Sequence, residues 1–158
     1  MAGIYLMDEA EWADKRANLP KYSDFDPYGD GGDAMYAWDN FGRLSVPQAY
    51  ARFCENPLDY QEDFMFTGGK AFAFYFPVIE RYLFECTPTA DDDCQLWIIG
   101  EGIKLQLKWP TASEVLPLRQ RLLGLAEHVL SKLDDLEPDN EARVRKAWTE
   151  LKCTLEPT

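Results

Sequence analysis

The residues of this chain best equipped for chemistry are its carboxylates, and they gather in one stretch, KYSDFDPYGDGGDAMYAWDN from Lys21 to Asn40. Asp24, Asp26, Asp30, Asp33 and Asp39 are interleaved there with Pro27, Gly29, Gly31, Gly32 and the rings of Tyr22, Phe25, Tyr28, Tyr36 and Trp38. Closely spaced carboxylate oxygens are hard ligands, so calcium is the first chemistry to test. In an EF-hand register begun at Asp24, Asp26 takes the third position and Gly29 the sixth, as the loop requires. The eighth position is then Gly31, and Met35 stands at the twelfth in place of a bidentate Glu, so the register fails and no metal is assigned.

The other reactive types are thinner. The one histidine, His128, lies off the leucine stripe of its segment and reads as an exposed residue; no GxSxG elbow accompanies it, so no catalytic residue is assigned. Gly68-Gly69-Lys70 after Thr67 has the outline of an anion cradle. It lacks the leading Gly and closing Ser or Thr of a P-loop, and helix capping accounts for its glycines, so no cofactor is assigned. Asp91, Asp92 and Asp93 read as a solvated loop. Cys54, Cys86, Cys94 and Cys153 show neither zinc spacing nor a CxxC pair and read as buried thiols. A bridge between Cys86 and Cys94 stays open for an exported protein. Arg143, Arg145, Lys146 and Lys152 form a basic patch diluted by Asp139, Glu141 and Glu150, which reads as a helix face in water.

What remains is recognition. The chain carries a net charge of −12, and residues 1–40 alone hold nine acids against three bases, half of that excess. Such a field repels nucleic acid and anionic membranes and attracts basic proteins. The surface expected to do so joins Tyr22, Asp24, Asp26, Tyr28, Asp30, Asp33, Tyr36 and Trp38 to Asp59, Glu62 and Asp63. Aromatic rings among carboxylates offer buried anchors inside a steering charge.

These side chains need a scaffold, and 158 residues with 46% apolar content can bury one core in a single domain, 1–158. No apolar run reaches the ~20 residues of a membrane span. The opening MAGIYLMDEAEW lacks the basic and apolar regions of a secretory signal, so a cytoplasmic location is expected. The densest apolar run is Phe64 to Cys86, where Phe72, Tyr75, Phe76, Ile79, Tyr82 and Leu83 recur at helical spacing. Pro77 removes one backbone hydrogen bond, which predicts two helical pieces. An extended reading of Ala71 to Phe76 competes with the helix, because aromatics and small residues alternate there.

Further helices are expected over Asp8 to Asn18, after a Ser45 cap with Pro47 in the first turn, from Ser113 or Leu116 to Leu133, and from Pro138 to Cys153. The last two are joined by a short connection and should pack antiparallel. Lys21 to Asn40 reads as a loop pinned to the core by its aromatics. QLWIIGEGIKLQLKW gives a strand pattern: Ile103, Leu105, Leu107 and Trp109 alternate with polar residues around a Gly100-Glu101-Gly102 turn. The expected class is therefore α+β, mainly helical, with one antiparallel hairpin at about 95–109. The stripe Leu118, Leu122, Leu125, Val129 and Leu133 also suits a contact between two copies of the chain. As a rival to protein recognition, Phe74, Tyr75, Trp97 and Trp109 with Glu80 or Glu101 outline an aromatic pocket for a small molecule.

Residues 46–86 carry a resemblance. A helix ending near Pro57, an acidic and aromatic lead-in, and TGGKAFAFYFPVIERYL resemble a segment of small acidic uncharacterised bacterial proteins, some of immunity-protein type from polymorphic toxin systems. The resemblance implies a protein that occludes a basic toxin, and it brings no catalytic residue with it.

Overall fold

Three of the helix starts carry a side-chain cap, at Asp8, Ser45 and Asn56. A computed structural model describes residues 5–13, 18–86, 94–136 and 138–157. Asp8 caps α1 (Glu9–Trp12) by accepting from the Ala10 amide at 2.9 Å. Ser45 and Gln48 form a reciprocal capping box on α4 (Val46–Glu55), and Asn56 caps α5 (Pro57–Tyr60). Between α1 and α4 lie α2 (Tyr22–Phe25) and α3 (Asp33–Phe41), so the stretch expected to be a loop is half helix. Only its turn, where Gly29, Gly31 and Gly32 have positive φ, stays irregular.

The central element is α6 (Gly69–Cys86), one uninterrupted helix. The expected break at Pro77 does not occur, and neither does the extended alternative for Ala71 to Phe76. A proline inside an exposed helix costs about 3 kcal/mol. Phe72, Tyr75, Phe76, Ile79 and Leu83 are fully buried around it, each contributing about 1.5–3 kcal/mol, so tertiary packing outweighs the lost bond. Tyr75 is further fixed by donating to the carbonyls of Phe41 and Leu44 at 3.0 and 2.8 Å.

Helix α6 packs on α2 and α4 on one side and on α8 (Arg119–Ser131) on the other. Two 3-10 turns, Pro110–Glu114 and Leu116–Leu118, precede α8, so that helix starts later than its pattern suggests. A third 3-10 turn, Leu133–Asp135, leads to α9 (Pro138–Leu155). Arg119 Nε donates to the Leu155 carbonyl, tying the start of α8 to the end of α9, the antiparallel arrangement their short link implies. Leu118, Leu122, Leu125, Val129 and Leu133 are all buried in the chain's own core, which removes that stripe as a surface for a second copy.

The hairpin is a correction. Leu96–Gln106 forms a helix, α7, and no strand occurs among the described residues, which makes this part of the chain all-helical. The buried positions Leu96, Ile99, Gly100, Ile103 and Gln106 follow helical spacing that the more visible alternation from Ile103 onward conceals. The glycines expected to turn are contact points instead. A Cβ on Gly100 would lie 2.9 Å from the Trp148 indole nitrogen, and one on Gly102 would lie 2.5 Å from Met65. Trp148 of α9 reaches across α7 and donates its indole N–H to the Leu96 carbonyl at 2.8 Å.

Candidate functional site

Most of the expected recognition residues come together, but not as equals. Asp26 is only 7% exposed and already saturated: its carboxylate accepts from the amides of Asp30 and Gly31 and from the Tyr22 hydroxyl, each at 2.9 Å. The Gly31 amide leads the groups that hold its pKa below the usual carboxylate value, against the opposing effect of burial. Asp26 is thus the knot of the turn. Asp24 accepts from the Lys21 amide at 2.8 Å and lies 3.8 Å from Lys70 Nζ, so it too serves the scaffold. Trp38 is half-buried, edge-on to Tyr22 and Phe25 at 5.7 and 5.3 Å.

The knot holds Tyr28 and Asp30 at the rim of a concavity of about 350 Å³. Asp26 and Asp33 line it as well, and Phe66 and Trp109, with ring centroids 6.4 Å apart, contribute aromatic wall. Its floor comes from Thr67 and Gly68. Gln106 of α7 fixes that floor, donating its side-chain amide to the carbonyls of Met65 and Thr67 at 3.0 and 2.7 Å.

A second concavity of about 410 Å³ is lined by Asp33, Tyr36, Asn40, Leu58, Asp59, Glu62, Asp63 and Phe66. Asp33 and Phe66 belong to both, so the two hollows adjoin. Tyr28 and Tyr36 are 62% and 61% exposed, one at each hollow. Among the described lining residues stand six carboxylates and no Lys or Arg. Asp63 shows the effect. Burial raises its pKa, the Asn40 amide that donates to it at 2.8 Å opposes the rise, and the like charges of Asp33 and Glu62 add to it.

The other sequence candidates resolve differently. The Gly69 amide donates to Thr111 Oγ1 at 3.0 Å, and a Cβ on Gly68 or Gly69 would strike the carbonyl oxygens of Asp24 or Thr111 at 2.4 or 2.3 Å. The glycines serve close backbone packing, and the Gly69 donor is already committed to it. His128 is buried, not exposed: Nε2 lies 3.2 Å from the Leu83 carbonyl and its ring rests on Phe84. Burial lowers its pKa, and the Leu83 contact opposes the fall.

Of the four cysteines only Cys94 is buried, while Cys54, Cys86 and Cys153 are exposed. The rival small-molecule pocket does not assemble. Tyr75 is fully buried, Glu101 pairs with Lys104 at 3.1 Å, and Glu80, bound by Arg121 at 2.6 Å, lines a different hollow from the one that Trp109 walls. Asp91, Asp92 and Asp93, and the tip of the segment between Cys86 and Cys94, lie outside the described residues.

Sequence reasoning missed Phe66, Asn40 and Leu58, and it grouped Trp109 with the rival pocket instead of this face. Trp109-Pro110 carried a signal, since a large ring just before a helix-breaking proline has reason to sit on a surface wall. Among the described residues no three His, Cys, Asp or Glu side chains come together so as to hold a metal ion, and no helix is long and apolar enough to cross a membrane. Comparison with protein-family models, curated proteins and solved structures finds no match.

Proposed function

We propose that this chain is an acidic interaction protein that occludes a basic protein partner, in the manner of an immunity protein bound to a toxin. The observation that carries this reading is the pair of adjoining hollows, with six carboxylates, five aromatic rings and no lysine or arginine among their described lining residues. A concave face with uncompensated negative charge accelerates encounter with a cationic surface. Tyr28, Tyr36, Phe66 and Trp109 then offer aromatic faces to arginine or lysine side chains, each such contact contributing about 0.5–2 kcal/mol.

The test titrates the purified chain with a short arginine-rich peptide and, as a second probe, a small folded protein of strong net positive charge, at graded salt. Association weakens as salt rises, and it falls at least ~10-fold when Asp30, Asp33, Asp59 and Glu62 are changed together to their amides, a loss of about 1.4 kcal/mol. Asp24 and Asp26 are left intact because they hold the turn. Binding of both probes that ignores salt and the four substitutions would overturn the reading.

A further inference from the structure

Two exposed thiols lie at one end of a packed helix pair. The contacts between α4 and α6 advance together along both helices: the Leu44 carbonyl, just ahead of α4, meets Tyr75, and the Phe53 ring meets Tyr82 at 5.1 Å. The helices therefore run side by side in the same direction, and Cys54 and Cys86 emerge from their last turns at a common end. Tyr50 spans the groove beside them. Its hydroxyl donates to Glu85 at 3.4 Å and its ring carries the Arg81 guanidinium at 4.6 Å. The Cys86 thiol is near enough to act on that of Cys54. Burial chiefly raises the Cys54 pKa, the Tyr50 hydroxyl works against it, and Cys86 adds to the rise. Cys94, the other neighbour of Cys86 in sequence, is sunk in the core.

We propose that Cys54 and Cys86 are a paired modification site, closing an intramolecular disulfide when the protein meets a low-molecular-weight disulfide such as oxidised glutathione. The thiolate of one cysteine attacks the glutathione disulfide, whose S–S bond breaks to release one glutathione thiolate and leave a mixed disulfide. The second cysteine gives up its proton and attacks the protein-bound sulfur, expelling the second glutathione. The protein loses two protons and two electrons, and all of them end in the two glutathione thiols. The bond ties the end of α4 to the end of α6, and it pins the Asn56 junction from which Leu58 and Asp59 enter the second hollow. The inference is independent of what binds there.

The experiment equilibrates the folded full chain with mixtures of oxidised and reduced glutathione and reads intact mass, linked peptides and melting temperature. The expected product is lighter by two hydrogens, contains a peptide joining Cys54 to Cys86, and melts about 5 °C higher than the reduced form. Cys54→Ser and Cys86→Ser each abolish the link and accumulate a glutathione adduct on the remaining thiol. Cys94→Ser and Cys153→Ser keep it. Glutathione adducts on both Cys54 and Cys86 of the unaltered chain without loss of hydrogen, or a link from Cys86 to Cys94, would overturn the proposal. Both thiols are exposed, so the serine variants fold, and unchanged circular dichroism checks that they do.

Discussion

Carboxylates occur in two contrasting settings in this molecule. Glu80, on the central helix, is 6% exposed, yet both of its oxygens accept from Arg121, at 3.1 and 2.6 Å. The same guanidinium reaches Glu11 at 2.7 Å and covers the Phe76 ring at 5.2 Å. Burial works against the charge on Arg121, but the hydrogen bonds it donates to Glu80 and then to Glu11 outweigh it and hold its pKa up. Around Asp33 the arrangement is reversed: carboxylates crowd a concave face without a cation among their described neighbours in the lining. A paired, buried acid belongs to the fold. Among the lining acids, Asp63 feels the like charges of Asp33 and Glu62, which add to the rise that its burial causes.

The contrast breaks first at Glu80. Glu80→Ala leaves Arg121 half-covered with one carboxylate partner, and stability should fall by about 2 kcal/mol, below the range for fully buried pairs because Arg121 keeps some solvent. Urea unfolding should show a lower midpoint at unchanged slope. A change under ~0.5 kcal/mol would put Glu80 among the surface acids.

Acid titration is the next test. The folded pKa of His128 lies below 6.5, so between the two values the unfolded chain binds the extra proton. The contribution of His128 is whole above the unfolded value and is lost as pH falls through the folded one. Unfolding curves between about pH 7.5 and pH 5 should show this loss, and His128→Gln, which can still donate to the Leu83 carbonyl, should flatten it. Equal slopes in the two proteins would dismiss the histidine as the cause. Asp26 carries the same sign further down, its contribution present above 3.8 and lost as pH falls through its depressed folded value.

Asp63 has the opposite sign. Its pKa is raised, so its contribution is present below the unfolded value and is lost as pH rises through the folded one. At neutral pH Asp63→Asn should therefore stabilise the chain, by about 0.5 kcal/mol, with the Asn40 contact retained. A destabilised Asp63→Asn protein would show that the second hollow is structural. Smallest of all is the effect on folding of the four amide substitutions at Asp30, Asp33, Asp59 and Glu62. Their unfolding free energy should stay within ~0.5 kcal/mol of the parent while association is lost.

The sequence announced some of this through local rules that tertiary structure left intact. The Ser45 cap, the leucine stripe of α8 and the antiparallel α8–α9 pair depend on neighbours a few residues apart. Pro77 and the Gly100-Glu101-Gly102 triplet misled because their local meaning was overruled from a distance. Aromatic packing carries α6 through the proline as one element, and Trp148 and Met65 need the space that the glycines leave. The acidic face was legible as composition, since charge survives in a list of residues. Which acids were already tied by backbone amides was not, because Asp26 and Asp30 look alike until the turn between them closes.

The first hollow has one property that no segment of the chain owns. Its rim, wall and floor come from 25–34, from 66–68 and from 109–111, and they meet only when α7 has docked and Gln106 has gripped the turn beneath Phe66. Peptides copied from any single stretch should bind nothing, however acidic. A partner of the kind proposed would therefore report on the folding of the whole chain, and a half-synthesised or partly unravelled copy would offer it no purchase.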